Sequence, residues 1–234
     1  MQEQTLADLR AHAAECAPAE ACGLVIVEKG REKYIPCKNV APMDEFEIAA
    51  EDYVAAAERG EIVAIAHSHV NAPATPSMVD LVGCEHSCLP WVIVSHPQGD
   101  MVRIEPKGYE APLVGRPYCY GVLDCYTLVI DYYRRELGIE LPHFETSFGW
   151  WERGEPVFES HLDEAGFVIV DGPPRQHDVL LLDFGDKGNA NHCAVYLGDD
   201  LILHHCVNRL SSRDVYGRLY QQQAMKVARH KSLL

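Results

Sequence analysis

His67-Ser-His69-Val-Asn-Ala-Pro-Ala-Thr-Pro-Ser77-Met-Val-Asp80 follows the apolar run Ile62-Val-Ala-Ile-Ala66. That run reads as a buried strand. Alternate residues of a strand share a face, so His67 and His69 can point at one spot. Seven residues separate His69 from Ser77, and two separate Ser77 from Asp80. Ser77 and Asp80 also have the spacing of a capping box, which predicts a helix starting there. Two imidazoles, a carboxylate and an open fourth position make the donor set of a catalytic zinc site. Zinc in such a site lowers the pKa of its water to about 7.

Taken singly, each of these pieces is more often structural. Their conjunction points to metal chemistry if an acid upstream can act as general base. Glu20 is the candidate, in Pro18-Ala-Glu20-Ala-Cys22-Gly23, just before the apolar run Leu24-Val-Ile-Val27. The set Glu20, His67-Ser-His69, Ser77 and Asp80 resembles the JAMM (MPN-type) metalloprotease motif, over residues 1–105. The resemblance implies that His67, His69 and Asp80 bind Zn2+. It implies that Glu20 takes the proton of the zinc-held water, and that Ser77 helps hold the oxyanion.

The 234 residues have room for one large or two small domains. The net charge is −15, and it divides as −10 over residues 1–105 (7 basic, 17 acidic) and −5 over 106–234 (13 basic, 18 acidic). Neither part carries a basic stripe, which argues against nucleic acid as a partner. No apolar run approaches the roughly 18 residues that span a membrane. The opening residues MQEQTLADLRAHAAEC read as an amphipathic helix and not as a signal peptide. Nine cysteines without a framework spacing fit a reducing compartment, where they are buried, catalytic or metal-binding.

Helices are expected over 4–16, 47–59 and 77–84, and strands over 22–28, 31–37, 62–69, 91–95 and 101–105, with 39–46 a loop. Cys84, His86 and Cys88 have the wrong spacing for a zinc knuckle and are read as helix-end residues. Pro106 to Gly115, with two prolines and two glycines, is the expected linker to a second domain over 116–234.

In that domain Asp124 reads as the N-cap of a helix running to Leu137, with Gly138 as its stop. Cys125 then lies in the first turn, where the helix dipole favours a thiolate. His192 lies in the alternating run His192–Gly198, and His204 in Leu201–His204, with Asp199-Asp200 as a tight turn between them. The two histidines can stand on neighbouring strands as a base and its orienter. Alternation favours His204 over His205 as orienter. Against this, a free cysteine is most often a small buried apolar residue. Trp150-Trp151 are read as core, Cys119, Cys193 and Cys206 receive no role, and the basic tail is expected to be helical over 216–229.

Pro117-Tyr118-Cys-Tyr-Gly121, Asp124-Cys125, His192–Gly198 and His204 together resemble the NlpC-type cysteine peptidases, which have a papain-like α+β fold and cut peptide stems of bacterial cell wall. The resemblance spans residues 113–210. It implies Cys125 as nucleophile, His192 as base, His204 as orienter and Tyr118 near the oxyanion. Tyr126-Thr127 depart from the Ser-Gly usual after that cysteine.

A JAMM-like α/β layer domain followed by an NlpC-like domain resembles the tail assembly protein K family of lambda-type phages. That resemblance implies a peptidase in tail-tip assembly, working in the host cytoplasm. Its partners would be phage tail-tip proteins, and its substrate a peptidoglycan peptide or a tail protein. The alternative is a non-catalytic assembly factor that uses both domains as binding modules.

Overall fold

The computed structural model describes residues 1–41, 45–185 and 187–234. The chain starts with helix α1 (Glu3–Cys16), whose Leu9 and Ala13 have no exposed surface to speak of. Strands β1 (Cys22–Glu28) and β2 (Arg31–Cys37) form a hairpin. Its two turn residues, Lys29 and Gly30, both have positive φ, as a type I′ turn requires. Helix α2 (Ala50–Arg59) begins three residues later than the pattern predicts, because Ile48 is held in a bridge to Asn39. Part of the loop expected over 39–46 lies outside the described residues.

Strand β3 (Glu61–Val70), helix α3 (Met78–Ser87), strand β4 (Trp91–His96) and strand β5 (Met101–Ile104) complete the first sheet, in the order β2-β1-β3-β4-β5. Only β3 and β4 run parallel, and α3 is their crossover. One face of the sheet packs Val25, Ala64, Ala66, Val92 and Val94 against α1. The other packs Ile26, Ile65 and Trp91 with Ala56 of α2 and Cys84 of α3. His67 has the parity of Ile65, so the strand delivers it to the α3 face.

A second unit begins at Ala111, the first ending at Glu110, inside the stretch read as linker. Helix α4 (Cys125–Tyr132) continues into a π-helical turn to Leu137 and stops at Gly138, in the left-handed region at φ 66°. After helix α5 (Val157–His161) come strands β6 (Phe167–Val170), β7 (Val179–Leu182), β8 (His192–Gly198), β9 (Leu201–His204) and β10 (Ser212–Val215), then helix α6 (Arg218–Gln223) and strand β11 (Ala224–His230). The sheet is antiparallel, in the order β10-β9-β8-β7-β11-β6. Leu128 and Val129 of α4 pack on Leu181, Cys193, Val195 and Leu203. Trp150 is buried, as expected, whereas Trp151 is only half-buried.

The tail departs from the expected helix over 216–229. Only 218–223 are helical, and 224–230 form a strand inside the sheet, between β7 and β6. Ala, Met, Lys and Arg are good helix formers, but pairing on both edges overrides that local preference. Arg229 fixes the strand through a two-pronged ion pair to buried Asp178, at 2.8 and 2.7 Å. Among the described residues no helix is long and apolar enough to cross a membrane.

Gly83 is where α3 meets the sheet. A Cβ there would lie 2.4 Å from the Trp91 ring, which is buried and cannot swing away. Gly83→Ala gains roughly 1 kcal/mol of helix propensity but overpacks a rigid indole, at a cost of about 1–3 kcal/mol. Thermal unfolding is expected to show a lower melting temperature; a rise would mean that α3 does not press on Trp91.

Candidate active sites

The first site is made by β1, β3 and α3. The β1–β3 register pairs Cys22 with His67, so the chain just before β1 runs past His69. Ser68, buried between the two histidines, clamps that stretch. Its Oγ accepts from Ala21 N–H at 2.9 Å, and its own N–H donates to Ala21 O at 2.9 Å. Glu20 is thereby held at the edge of the site, with its carbonyl accepting from Asn39 Nδ2 at 3.1 Å. Its carboxylate acts on His69, favouring the charged ring.

Ser77 caps α3 and Asp80 closes the capping box, so the bland reading of this pair is correct and coexists with the site. Asp80 Oδ2 accepts from Ser77 N–H at 2.6 Å. Its Oδ1 lies 3.1 Å from His67 Nε2, and its Oδ2 3.3 Å from His69 Nε2. The two Nε2 atoms are 3.2 Å apart. His69 Nδ1 faces Pro73 O at 2.9 Å, which assigns the ring proton to Nδ1 and leaves the Nε2 lone pair for the site. His67 stacks on Phe46 at 4.4 Å and meets the edge of Trp91; its Nδ1 is buried without a hydrogen-bond partner among the described residues. Burial pushes the His67 pKa down, whereas the hydrogen bond to Asp80 raises that of His69. Asp80 is held far below the usual carboxylate range: burial works upward, and the bonds to both histidines outweigh it.

These separations are compatible with a metal ion, the two histidines facing different oxygens of Asp80. Donors about 2.0–2.1 Å from a tetrahedral ion stand about 3.4 Å from one another, and the three closest approaches here run from 3.1 to 3.3 Å.

The second site lies at the N-terminus of α4. Asp124 caps the helix, accepting from Tyr126 and Thr127 N–H at 3.0 and 2.9 Å, while the Thr127 hydroxyl closes a capping box. Cys125 is therefore the first residue of the helix, packed against the cluster that holds Cys193, and both Cys193 and His192 act on it to favour the thiolate. Ala194 pairs with His204 across β8 and β9, so His192 and His204 are diagonal neighbours on one face. Phe184 stacks on His192 at 4.9 Å. His192 Nε2 lies 3.1 Å from His204 Nδ1, and His204 Nε2 lies 3.1 Å from Asp214 Oδ2. Asp214 also accepts from the Tyr220 hydroxyl at 2.7 Å and from Arg209 at 3.2 Å. Asp214 is held low in pKa, because these bonds outweigh its burial.

Alternation resolves the two adjacent histidines as expected. His205 turns to the opposite face, against Tyr118 at 5.2 Å between ring centres. Burial and the nearby Cys125 raise the Tyr118 pKa, so its hydroxyl stays a donor.

Three residues invisible to sequence reasoning complete the site. Asp214 and Tyr220 come from β10 and α6, in the basic tail, and no spacing signals them. Cys193, assigned no role before, packs against α4 in the core and favours the Cys125 thiolate. Its bond, with that of His192, outweighs burial and lowers the Cys125 pKa to about 6. Cys193 itself is pushed well above the ordinary thiol value by burial, and so remains a donor. Burial alone would lower His192, but its bonds to Cys125 and Cys206 raise it to about 9.

Between pH 6 and 9, then, thiolate and imidazolium coexist. In chelator-treated protein, alkylation of Cys125 is expected to titrate near pH 6, against about 8.5 for a free thiol. A hydrogen bond to a charged group is worth about 1.5 kcal/mol, so Cys193→Ala should slow that alkylation about tenfold at pH 6. A titration near 8.5 in the wild type would contradict the arrangement. Mass spectrometry of the labelled peptides provides the measurement.

Residues 2–105 match the model of prokaryotic homologues of the JAB domain, and residues 115–229 that of the NlpC/P60 family. The tail tip assembly protein K of Escherichia phage N15 is 39% identical over 238 residues, covering 100% of this chain and 97% of that protein. The protein of the same name from Escherichia phage lambda is 36% identical, covering 79% of this chain and 90% of that one. A JAB1/MPN domain protein from Archaeoglobus fulgidus, of known structure, is 17% identical with a TM-score of 0.28, over 44% of this chain and 93% of that chain.

Proposed function

The chain belongs to the tail tip assembly protein K family, a JAB-type domain joined to an NlpC/P60 domain, and we propose that it serves tail-tip assembly as a peptidase with two separate sites. The observation that carries this reading is the Cys125–His192–His204–Asp214 chain of contacts. A binding module has no need of a thiolate stabilised in advance.

Cys125 attacks the carbonyl carbon of a peptide bond. The developing oxyanion meets the helix N-terminus and the Tyr118 hydroxyl. His192, protonated beforehand, gives its proton to the departing amine; water then hydrolyses the thioester with His192 as base. His204 keeps the His192 ring in place, and Asp214 keeps His204 in the tautomer whose Nδ1 accepts. The proposed substrates are the peptide stem of peptidoglycan or a tail protein.

In the first unit, His67, His69 and Asp80 would hold zinc, which supplies Lewis acidity and a water of lowered pKa. Glu20 accepts a proton from a water at this site, and Ser68 fixes its distance. Ser77 Oγ spends a lone pair on the Asp80 N–H at 3.1 Å, so its own hydroxyl hydrogen remains available to a substrate oxyanion. Capping and catalysis are compatible in one residue.

Purified murein digested with the wild type, Cys125→Ala and His69→Ala, read by mass spectrometry of the released fragments, tests both sites. Release is expected to vanish in Cys125→Ala and to persist in His69→Ala, while metal analysis shows about one equivalent of zinc fewer in His69→Ala only. Failure of the folded wild type to cut murein or tail proteins would leave the chain a non-catalytic assembly factor. A zinc content in His69→Ala equal to that of the wild type would contradict the assigned ligands.

A further inference from the structure

Cys206 is not needed for the reaction above, yet it lies beside both histidines. It follows β9 by two residues, and continuing the register that pairs Ala194 with His204 sets it opposite His192. Its Sγ is 3.4 Å from His204 Nδ1 and 3.9 Å from His192 Nε2, and those two nitrogens are 3.1 Å apart. Both imidazoles are buried, and Cys206 is half-buried, on the solvent side of the pair.

We propose that His192, His204 and Cys206 form a second zinc site, of two-histidine, one-cysteine type, whose occupation silences the Cys125 thiol. Zinc takes nitrogen at about 2.0–2.1 Å and sulfur at about 2.3 Å, so the edges of such a tetrahedron are about 3.4 Å between nitrogens and about 3.6 Å from nitrogen to sulfur. The three observed separations scatter around those lengths. The support that zinc-binding imidazoles require is also present: Asp214 accepts the far N–H of His204 at 3.1 Å and fixes the Nδ1 lone pair on the site.

Occupation and catalysis exclude each other on proton grounds. The ion takes the place of the proton that His192 Nε2 shares with His204 Nδ1, which goes to solvent, and takes Cys206 as the thiolate that the two histidines already favour. With Nε2 committed to His204 or the metal, the nitrogen left for Cys125 is Nδ1. With the metal on Nε2, His192 loses the contact to His204 that orients it and keeps a single hydrogen, on Nδ1, so it is no longer the imidazolium that serves the departing amine. The silencing rests on the peptidase reading; the metal site does not.

The test is spectroscopic and independent of activity. Co2+ is added to the metal-free full-length chain, and the sulfur-to-cobalt charge-transfer band in the near ultraviolet is followed. The His67–His69–Asp80 set has no thiolate and gives no such band. The band is expected in the wild type, to be lost in Cys206→Ser, and to need about 10- to 100-fold more Co2+ in Asp214→Asn. No band in the wild type, or an undiminished one in Cys206→Ser, would overturn the proposal. Should Cys206→Ser fail to fold, alkylation mapping on the wild type decides: Cys206 labelled with chelator and at least about tenfold protected by Zn2+ supports the site, and equal labelling rejects it.

Discussion

Both sites depend on a capping box. Asp80 is the third residue of its helix because Ser77 caps it, and Cys125 is the first residue of its helix because Asp124 caps it. A helix start exposes unpaired N–H groups that something must satisfy, and the side chains that do so fix the first turn to within a fraction of a residue. In each unit the first turn faces histidines carried by strands. The strand supplies parity and the cap supplies position, so the reacting groups converge without a long loop to hold them.

Convergence does not suffice, since a buried imidazole must also be held in one tautomer. His69 is held by Pro73 O, and His204 by Asp214. Among the described residues no carboxylate bonds to His192, and its Nε2 meets His204 instead. Asp214 is therefore the anchor of the second site although it touches neither Cys125 nor His192. Rings held in this way suit a base and metal ligands alike, and Cys206 lies beside both of them.

Most of this was legible in local sequence. His67 and His69 share a face through the period of two; Ser77 and Asp124 announce helix starts; Asp199-Asp200, with φ of 49° and 54°, makes the hairpin that brings His204 beside His192. Two family resemblances, each resting on such local marks, supplied the roles. The tail was not legible. Residues 224–230 have helix-forming composition, and only the two strands that pair with them make them a strand. Asp214 and Tyr220 sit in that same tail, so their part in the site was hidden with it. Cys193 was hidden for another reason: its partner Cys125 is 68 positions away in sequence, and a thiol in a strand reads as core.

The thiolate–imidazolium pair of Cys125 and His192 is the central claim, and the histidine ring itself can report it. Imidazole nitrogen-15 shifts of chelator-treated protein at pH 7 should show His192 protonated on both nitrogens, the signal moving only as pH approaches about 9. In Cys125→Ala the same ring should lose its proton at a lower pH than in the wild type, since burial then acts with less opposition. A His192 ring carrying a single proton at pH 7 in the wild type would contradict the account.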